Sequence, residues 1–181
     1  MRLIITGTPG TGKTSISKGL AKELGCEAVE VNRLIRERKL YSHIENGEHV
    51  ADFGKLGKLL RKMLRKEKSI ILESHLLSDL KLPCDLVIVM RCEPDELAKR
   101  LRKRGYPVWK VNDNVMSEAL DYCLINAIHN FGMGKVLQIV ATRKCAAKTA
   151  LWEIKRFKKT RKMKQVRWLK NMPQEKLLEM G

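Results

Sequence analysis

The residues with the clearest chemistry lie near the amino end, in the run Gly7-Thr8-Pro9-Gly10-Thr11-Gly12-Lys13-Thr14. The run follows a short apolar stretch and precedes an amphipathic one, which is the order strand, glycine loop, helix. Three glycines let the backbone bend around an anion and aim its N–H groups at it, at the positive end of a helix dipole. The alternative is an ordinary glycine-rich turn, but the full motif with these flanks favours a phosphate site. There Lys13 reaches the β- and γ-phosphates of a nucleotide, and the Thr14 hydroxyl can ligate Mg²⁺.

A second group of polar residues follows the apolar run Ser69–Glu73. A carboxylate at the end of a buried strand can hold Mg²⁺ directly or through water, so Glu73 is a candidate metal ligand. His75 points the same way if the strand continues, and there it could position an attacking water or an acceptor phosphate. The alternatives are an ordinary polar strand end for Glu73 and a capping or packing role for His75.

These residues require a framework, and the hydrophobic pattern predicts one with alternating strands and helices. The strand-like segments are 2–6, 27–31, 69–73, 85–91 and 136–140, and the helical patterns include 13–24, 52–66, 94–102 and 114–128. The last three strands are nearly continuous apolar runs, as expected of parallel strands buried on both faces. The alternation predicts an α/β fold with a parallel sheet, whose ligands bind at the carboxyl ends of the strands.

Length and composition limit the class of protein. The 181 residues are enough for one domain with a sizeable core, and the apolar runs are too short to span a membrane. Five cysteines without a C-x-x-C pair predict free thiols in a reducing compartment, so we expect a cytoplasmic protein. The net charge of +17 exceeds what nucleotide binding needs and favours a polyanionic partner such as RNA. The alternative is that the charge serves solubility.

Four motifs together resemble one family, the archaeal and nuclear adenylate-kinase-like proteins, which belong to the P-loop nucleoside monophosphate kinases. They are the glycine loop, Val31-Asn32-Arg33-Leu34-Ile35, Glu73-Ser74-His75 and Arg104-Gly105-Tyr106. The resemblance covers residues 1–157 and leaves 158–181 as a basic C-terminal extension. This chain departs from the family in having Glu73 where Asp is more frequent, and in a longer, more basic C-terminal end.

The resemblance implies a P-loop NTPase fold with a five-stranded parallel sheet of order 2-3-1-4-5, an NMP-binding arm at about 30–53 and a lid at about 103–113. It implies ATP and Mg²⁺ as cofactors. The implied ATP contacts are Gly10, Gly12, Lys13, Thr14 and Ser15 in the loop, Arg104 in the lid, and Lys144 beside the adenine. The implied acceptor-binding residues in the arm are Asn32, Arg33 and Arg36; for Arg36 a solvated helix charge is an equal alternative.

The C-terminal extension is the other informative segment. Residues 155–170 contain nine Lys or Arg and no acidic residue, and Trp152, Phe157 and Trp168 are interleaved with them. Basic and aromatic residues together suit exposed RNA bases and phosphates. A basic amphipathic helix could equally lie on a membrane surface or bind an acidic protein, or remain a solvated helix whose aromatics cover the core. We expect Trp152 to belong to the core.

The function expected from these features is phosphoryl transfer from ATP to AMP, giving two ADP, with Lys13, Glu73, His75 and Arg104 at the reacting centre. An ATPase side activity and a role in rRNA processing and small-ribosomal-subunit assembly follow from the resemblance. Its partners would be rRNA, a small-subunit ribosomal protein, or both, with no membrane. One alternative is an ATPase switch for which AMP phosphorylation is incidental. Another is a P-loop kinase for a different small metabolite.

Overall fold

A computed structural model describes residues 1–45, 47–141, 147–166 and 168. In chain order the elements are β1 (Arg2–Thr6), α1 (Lys13–Leu24), β2 (Glu27–Glu30), α2 (Val31–Glu37), β3 (Tyr41–Glu45), β4 (Glu48–Ala51), α3 (Phe53–Lys66), β5 (Ile70–Glu73), β6 (Leu86–Arg91), α4 (Pro94–Lys103), α5 (Val108–Ala119), α6 (Tyr122–Phe131), β7 (Val136–Val140) and α7 (Ala147–Thr160). Two 3₁₀ turns lie at His75–Asp79 and Met133–Lys135.

Five strands form one parallel sheet in the order β2-β5-β1-β6-β7, which confirms the predicted α/β fold and its order 2-3-1-4-5. The strand that precedes the glycine loop is therefore central, with β5 on one side and β6 on the other. Its register places Ile5 beside Glu73 and beside Ile88. The carboxyl end of β5 consequently lies next to the start of the loop, where the fold can bring its acidic residue to the phosphate site.

Apolar side chains cover both faces of the sheet, as the near-continuous apolar strands predicted. One face packs mainly against α3 and α6, through side chains that include Leu56, Leu60, Leu64, Leu124 and Ala127. The other packs against α1 and α7, through side chains that include Ile16, Leu20, Ala150, Ile154 and Phe157. A smaller cluster joins α4 to α5. The helices are therefore held by burial, while the loops at the carboxyl edge stay available for binding.

Local sequence explains where several helices begin and end. Asp52 caps α3 by accepting a hydrogen bond from the Lys55 amide at 3.0 Å, and Pro94 begins α4 at the position where its fixed φ fits. Gly25 ends α1 in the left-handed conformation. Gly7 has a φ of +131°, and a Cβ there would lie 2.3 Å from the Met90 carbonyl oxygen. The phosphate loop can therefore pass so close to β6 because residue 7 has no side chain.

The predicted single helix over 114–128 is wrong, because two helices, α5 and α6, meet at Leu120 and Asp121. Asp121 has a φ of +60°, a conformation that Asp tolerates better than most residues. Its carboxylate pairs with the buried guanidinium of Arg91. A buried cation needs such partners. The break between α5 and α6 places the Asp121 carboxylate beside Arg91, whereas in a continuous helix this carboxylate would point elsewhere.

Smaller differences from the predicted elements lie at strand ends and in the C-terminal helix. Val31 begins α2 instead of ending β2, and the chain beyond Glu73 turns into a 3₁₀ helix instead of continuing as strand. Trp152 is not a core residue: it is 60% exposed, whereas Phe157 on the same helix is fully buried. Within the described part of the chain, no helix combines the length and apolar character needed to cross a membrane. The four described cysteines, Cys26, Cys84, Cys92 and Cys123, are unpaired.

Candidate active site

A cavity of about 1180 Å³ opens at the carboxyl edge of the sheet, with the phosphate loop as its floor. One wall comes from the arm between β2 and α3, which the structure shows as α2 followed by the hairpin of β3 and β4. The opposite wall comes from the turn after α4 and from α5. Predicted site residues that line this cavity are Gly10, Gly12, Lys13, Thr14, Ser15, Asn32, Arg36, Glu73, His75 and Arg104. The fold therefore gathers these ten residues from four separate stretches of the chain into one space.

Lys13 lies at the base of this cavity. Its ammonium donates hydrogen bonds to the carbonyl oxygens of Gly7 at 2.8 Å and Thr8 at 3.1 Å. Burial lowers the pKa of Lys13 to about 8, although the carboxylate of Glu73 acts in the opposite direction. A partly desolvated cation of this kind gains more from an anionic ligand than a fully hydrated lysine does. The position suits a lysine that neutralises phosphate oxygens.

Thr14 and Glu73, the two predicted metal ligands, lie side by side. The Thr14 hydroxyl donates a hydrogen bond to Oε1 of Glu73 at 2.8 Å, and Glu73 is 4% exposed. Burial raises the pKa of Glu73, and the bond from Thr14 and the charge of Lys13 both lower it. The pair offers a hydroxyl and a carboxylate oxygen to a cation beside the phosphate loop.

These donors fit Mg²⁺, which prefers oxygen ligands and completes its shell with phosphate oxygens and water. No cluster of three or more His, Cys, Asp or Glu residues able to hold a metal occurs among the described residues. A cation bound at Thr14 and Glu73 would therefore depend on a nucleotide for much of its coordination. The open loop, with its left-handed glycines at 10 and 12, likewise fits a polyphosphate.

His75 lines the cavity, but it lies in a turn and not, as expected, in a continuation of the strand. It begins the 3₁₀ turn after β5, and its carbonyl oxygen accepts hydrogen bonds from the hydroxyls of Thr6 at 3.2 Å and Ser78 at 3.1 Å. Burial lowers the pKa of His75 to about 4, and the positive charge of Lys13 acts in the same direction. The imidazole is therefore neutral near pH 7, and it can accept or donate a hydrogen bond without adding charge.

The three arm residues expected to bind the acceptor do not share one environment. Asn32 is anchored to the end of β5, because its Oδ1 accepts a hydrogen bond from the Ser74 hydroxyl at 2.6 Å. Arg36 also lines the cavity. Arg33 instead pairs with Glu37 at 3.1 Å, its side chain is 70% exposed, and it is absent from the cavity wall. Ser74 was noticed in the sequence only as part of a motif, yet it holds Asn32 in place.

Arg104 lies at the end of α4, where its amide donates to the Arg100 carbonyl oxygen at 3.2 Å and to that of Leu101 at 3.0 Å. Arg104 lines the cavity, and its charge contributes to the lowered pKa of Lys13 after the larger effect of burial. Lys144, expected beside the adenine, lies outside the described residues.

Sequence reasoning predicted a lid at about 103–113 but named only Arg104 in it as a site residue, and it did not identify the face of α5. The residues there that line the cavity are Tyr106, Trp109, Lys110, Asp113, Asn114 and Ser117. The Lys110 ammonium pairs with Glu48 of the arm and lies 5.0 Å from the centre of the Tyr106 ring. The polar spacing from Lys110 through Asp113 and Asn114 to Ser117 matches one helix face, a signal that could have identified it. The hairpin of β3 and β4 and helix α5 therefore touch across the cavity.

A family model described as "AAA domain" matches residues 3–121. Among curated proteins, the chain is 42% identical over 146 residues to a Methanocaldococcus jannaschii protein named "Putative adenylate kinase", covering 80% of this chain and 78% of that one. It is 40% identical over 158 residues to a Methanosarcina acetivorans protein of the same name, covering 83% and 82%. The residues matched by the family model include the phosphate loop and both walls of the cavity.

Solved structures with the same architecture include shikimate kinase from Aquifex aeolicus, with a TM-score of 0.59 at 14% identity, covering 88% of this chain and 99% of that one. A gluconokinase from Sinorhizobium meliloti has a TM-score of 0.57 at 13% identity, covering 86% and 92%. At these identities the likeness concerns the fold alone. It shows that the sheet, the phosphate loop and the flanking helices form the arrangement of small P-loop kinases.

Proposed function

This chain belongs to the AAA-domain family of P-loop proteins, with archaeal relatives named "Putative adenylate kinase", and we propose that it transfers a phosphoryl group from ATP to AMP. The observation that carries the proposal is the cavity itself. Thr14 and Glu73 lie beside Lys13 at the phosphate loop, and Asn32 and Arg36 of the arm line the same cavity. We assign the half beside the loop to a triphosphate and the half beside the arm to an anionic acceptor.

Each side chain has a role that follows from its charge and place. Lys13 and Arg104 neutralise the transferring group, and Arg36 pairs with the acceptor phosphate. Thr14 and Glu73 would hold Mg²⁺, which would shield the phosphate oxygens. An oxygen of AMP bonds to the γ-phosphorus of ATP while the bond from that phosphorus to the bridging oxygen breaks, leaving ADP. Since the attacking oxygen is already anionic, no general base is needed.

His75 has a different place in the proposal, because the neutral imidazole is not required for transfer to AMP. Water, unlike AMP, must lose a proton when it attacks, and an uncharged imidazole in the cavity can accept a hydrogen bond from it. We therefore assign His75 to the ATPase side activity. Transfer to a hydroxyl-bearing metabolite would also need a base, so an acceptor screen distinguishes these reactions.

The test is a coupled assay of ADP formation from ATP with each nucleoside monophosphate, and with shikimate and nucleosides as other acceptors. We expect activity with AMP and a loss of about 10²–10³-fold in kcat for Lys13→Ala. Lys22→Ala is the control, because that lysine is exposed at the far end of α1. Equal rates for wild type and Lys13→Ala would refute the proposal.

The same assay tests the acceptor site. We expect Arg36→Ala to raise the KM for AMP about tenfold while the KM for ATP stays unchanged, because Arg36 lies in the acceptor half. Arg33→Ala is the matched control, since its guanidinium is exposed and paired with Glu37. A larger effect at Arg33 than at Arg36 would contradict this assignment.

A second candidate is an ATPase assembly factor that binds RNA or a ribosomal protein during maturation of the small ribosomal subunit. The charge distribution favours it: Lys155, Lys158, Lys159, Lys162 and Lys164 are all exposed along and just after α7. Aromatic stacking receives less support, because Phe157 is fully buried. Salt-dependent binding of single-stranded RNA by the full chain tests this candidate.

A further inference from the structure

A buried polar network lies behind the phosphate loop, and the proposed reaction does not use it. Its centre is Glu118 of α5, which is 2% exposed, beside Arg91 at 1% and Thr8 at 1%. Taking such groups out of water is unfavourable unless every polar atom finds a partner. Within the described residues, no buried side-chain nitrogen or oxygen lacks one. The network is thus complete, and it joins three elements that are distant in sequence.

One oxygen of Glu118 holds the phosphate loop. Oε2 accepts a hydrogen bond from the Thr8 hydroxyl at 2.6 Å. The Thr8 carbonyl oxygen in turn accepts hydrogen bonds from the Lys13 ammonium at 3.1 Å and from the Thr11 hydroxyl at 2.8 Å. Thr8 belongs to the loop and lines the cavity, whereas Glu118 does not line it. Glu118 therefore acts on the loop from outside the nucleotide site.

The other carboxylate oxygen of Glu118 accepts hydrogen bonds from two further parts of the chain. Oε1 accepts hydrogen bonds from Arg91 Nε at 2.7 Å, the Cys92 amide at 3.2 Å and the indole nitrogen of Trp168 at 3.1 Å. The Trp168 ring lies over the guanidinium of Arg91, with its centre 5.8 Å from the central carbon. An aromatic residue of the basic C-terminal extension thus covers the ion pair that supports the loop.

The segment leading to Trp168 is also attached to the sheet. The Lys164 carbonyl oxygen accepts a hydrogen bond from Gln138 Nε2 at 3.3 Å, and Gln138 Oε1 accepts one from Arg91 at 2.7 Å. Met163 packs against both large apolar clusters, and Arg161 donates to the Gly134 carbonyl oxygen at 3.0 Å. The C-terminal segment therefore docks at several points, and Arg91 and Gln138 are shared between that docking and the loop support.

We propose that Glu118 is a positioning residue that couples the docked C-terminal segment, through Trp168, to the shape of the phosphate loop and hence to ATP affinity. While the indole covers the pair of Glu118 and Arg91, water is excluded and the hydrogen bond to Thr8 is strengthened by the low local dielectric. When the segment leaves, the carboxylate becomes hydrated and holds Thr8 less firmly. By linkage, ATP binding favours the docked segment to the same degree.

This inference rests on the proposed nucleotide site and adds regulation to it. A polyanion that captures the basic extension would pull Trp168 from Glu118, weaken ATP binding and promote nucleotide release. The partner is defined by chemistry, as a phosphodiester chain that attracts exposed lysines. The coupling itself can be measured without that partner, because substitution of Trp168 imitates undocking.

The test is a double-mutant cycle on the full chain, with the Kd for ATP measured by titration calorimetry. We expect Thr8→Val, which removes the hydroxyl but keeps the shape, to raise the Kd about tenfold, and Thr8→Ser to restore it to within about twofold. We expect Trp168→Ala to raise the Kd about threefold in the wild-type background and to have no further effect in the Thr8→Val background. Non-additivity of this kind supports the coupling.

A control separates coupling from general loss of stability. Leu64→Ala removes a fully buried side chain of α3 that belongs to the core and does not touch the network, and we expect it to leave ATP affinity within about twofold. The inference fails if Thr8→Val or Trp168→Ala leaves the Kd unchanged, or if their effects simply add. Wild type that does not bind ATP would instead refute the proposed function, so the two failures are distinguishable.

Discussion

At the scale of single residues, the cavity contains ionisable groups whose charge the fold has altered. Burial lowers the pKa of Lys13 and of His75, and raises that of Glu73. The directions follow from one cause, since desolvation disfavours the charged form of every group. Perturbed groups that converge on one cleft are typical of functional sites. Here they also make stability depend on pH in a way that can be assigned to one side chain.

His75 carries a testable pH dependence. Its folded pKa of about 4 lies below the ordinary value of about 6.5, so between these values the unfolded chain binds the proton first. The contribution of the neutral His75 imidazole to the free energy of unfolding is therefore fully present above about pH 6.5 and is lost as the pH falls towards 4. We expect wild type to lose about 3 kcal/mol more free energy of unfolding than His75→Gln between pH 7 and pH 4.

Urea unfolding at a series of pH values measures this difference, because the remaining titrations are common to both proteins. If His75→Gln is less stable than wild type at pH 7, the free energies of unfolding of the two proteins should approach each other as the pH falls. Curves that stay parallel across the interval would show that the imidazole is not held in its neutral form by burial.

At the scale of elements, α7 packs against α1, the helix that follows the phosphate loop. Gly19 lies on the face of α1 that meets α7, where a Cβ would come within 2.7 Å of the Cβ of Ala147. In an isolated helix, Ala would be more stable than Gly by about 1 kcal/mol. In this interface the overlap has the opposite effect, because close-packed helices cannot separate without losing contacts elsewhere.

We expect Gly19→Ala to lower the free energy of unfolding by about 1–2 kcal/mol. The matched variant Gly19→Ala with Ala147→Gly removes the overlapping methyl group and should recover most of the loss. Chemical denaturation at neutral pH provides the measurement. An increase in stability for Gly19→Ala alone would mean that helix propensity outweighs the contact, and that α7 can move away from α1.

Elements were predicted well where the signal is local. The bounds of β1, α1 and β7 match the predicted ranges, because glycines and apolar runs set their ends within a few residues. The helix predicted over 114–128 failed because its break depends on Arg91, which is 30 residues away from Asp121 in sequence. The periodicity of the segment contained no sign of that partner.

At the scale of the whole molecule, positive charge is distributed over several surfaces. Besides the exposed lysines of the C-terminal segment, α3 carries Lys55, Lys58, Arg61, Lys62, Arg65 and Lys66 and no acidic residue. A net charge of +17 creates a field that attracts polyanions over distances of about a Debye length. Charge alone therefore favours a polyanionic partner without showing which surface would make the contact.

Salt dependence distinguishes these surfaces. Each phosphate contact to single-stranded RNA contributes about 0.7 to the slope of log K against log salt concentration. We expect neutralisation of Lys155, Lys158, Lys159 and Lys162 to glutamine to reduce that slope by about 3. The same change at Lys58, Lys62, Arg65 and Lys66 of α3 removes equal charge and should leave the slope nearly unchanged. The reverse pattern would move the contact to α3.

The sequence by itself determined the phosphate loop and the parallel α/β fold, because these depend on motifs and on alternation between neighbours, and it named ten of the residues that line the cavity. The tertiary structure decided which arginine of the arm faces the cavity, that Trp152 is exposed, and that α5 supplies a wall. It also decided that Glu118 joins Thr8 to Trp168, across 110 and 50 residues of chain. Contacts of that range arise from the packing of whole elements, and a buried charge takes its partners from wherever the fold places them.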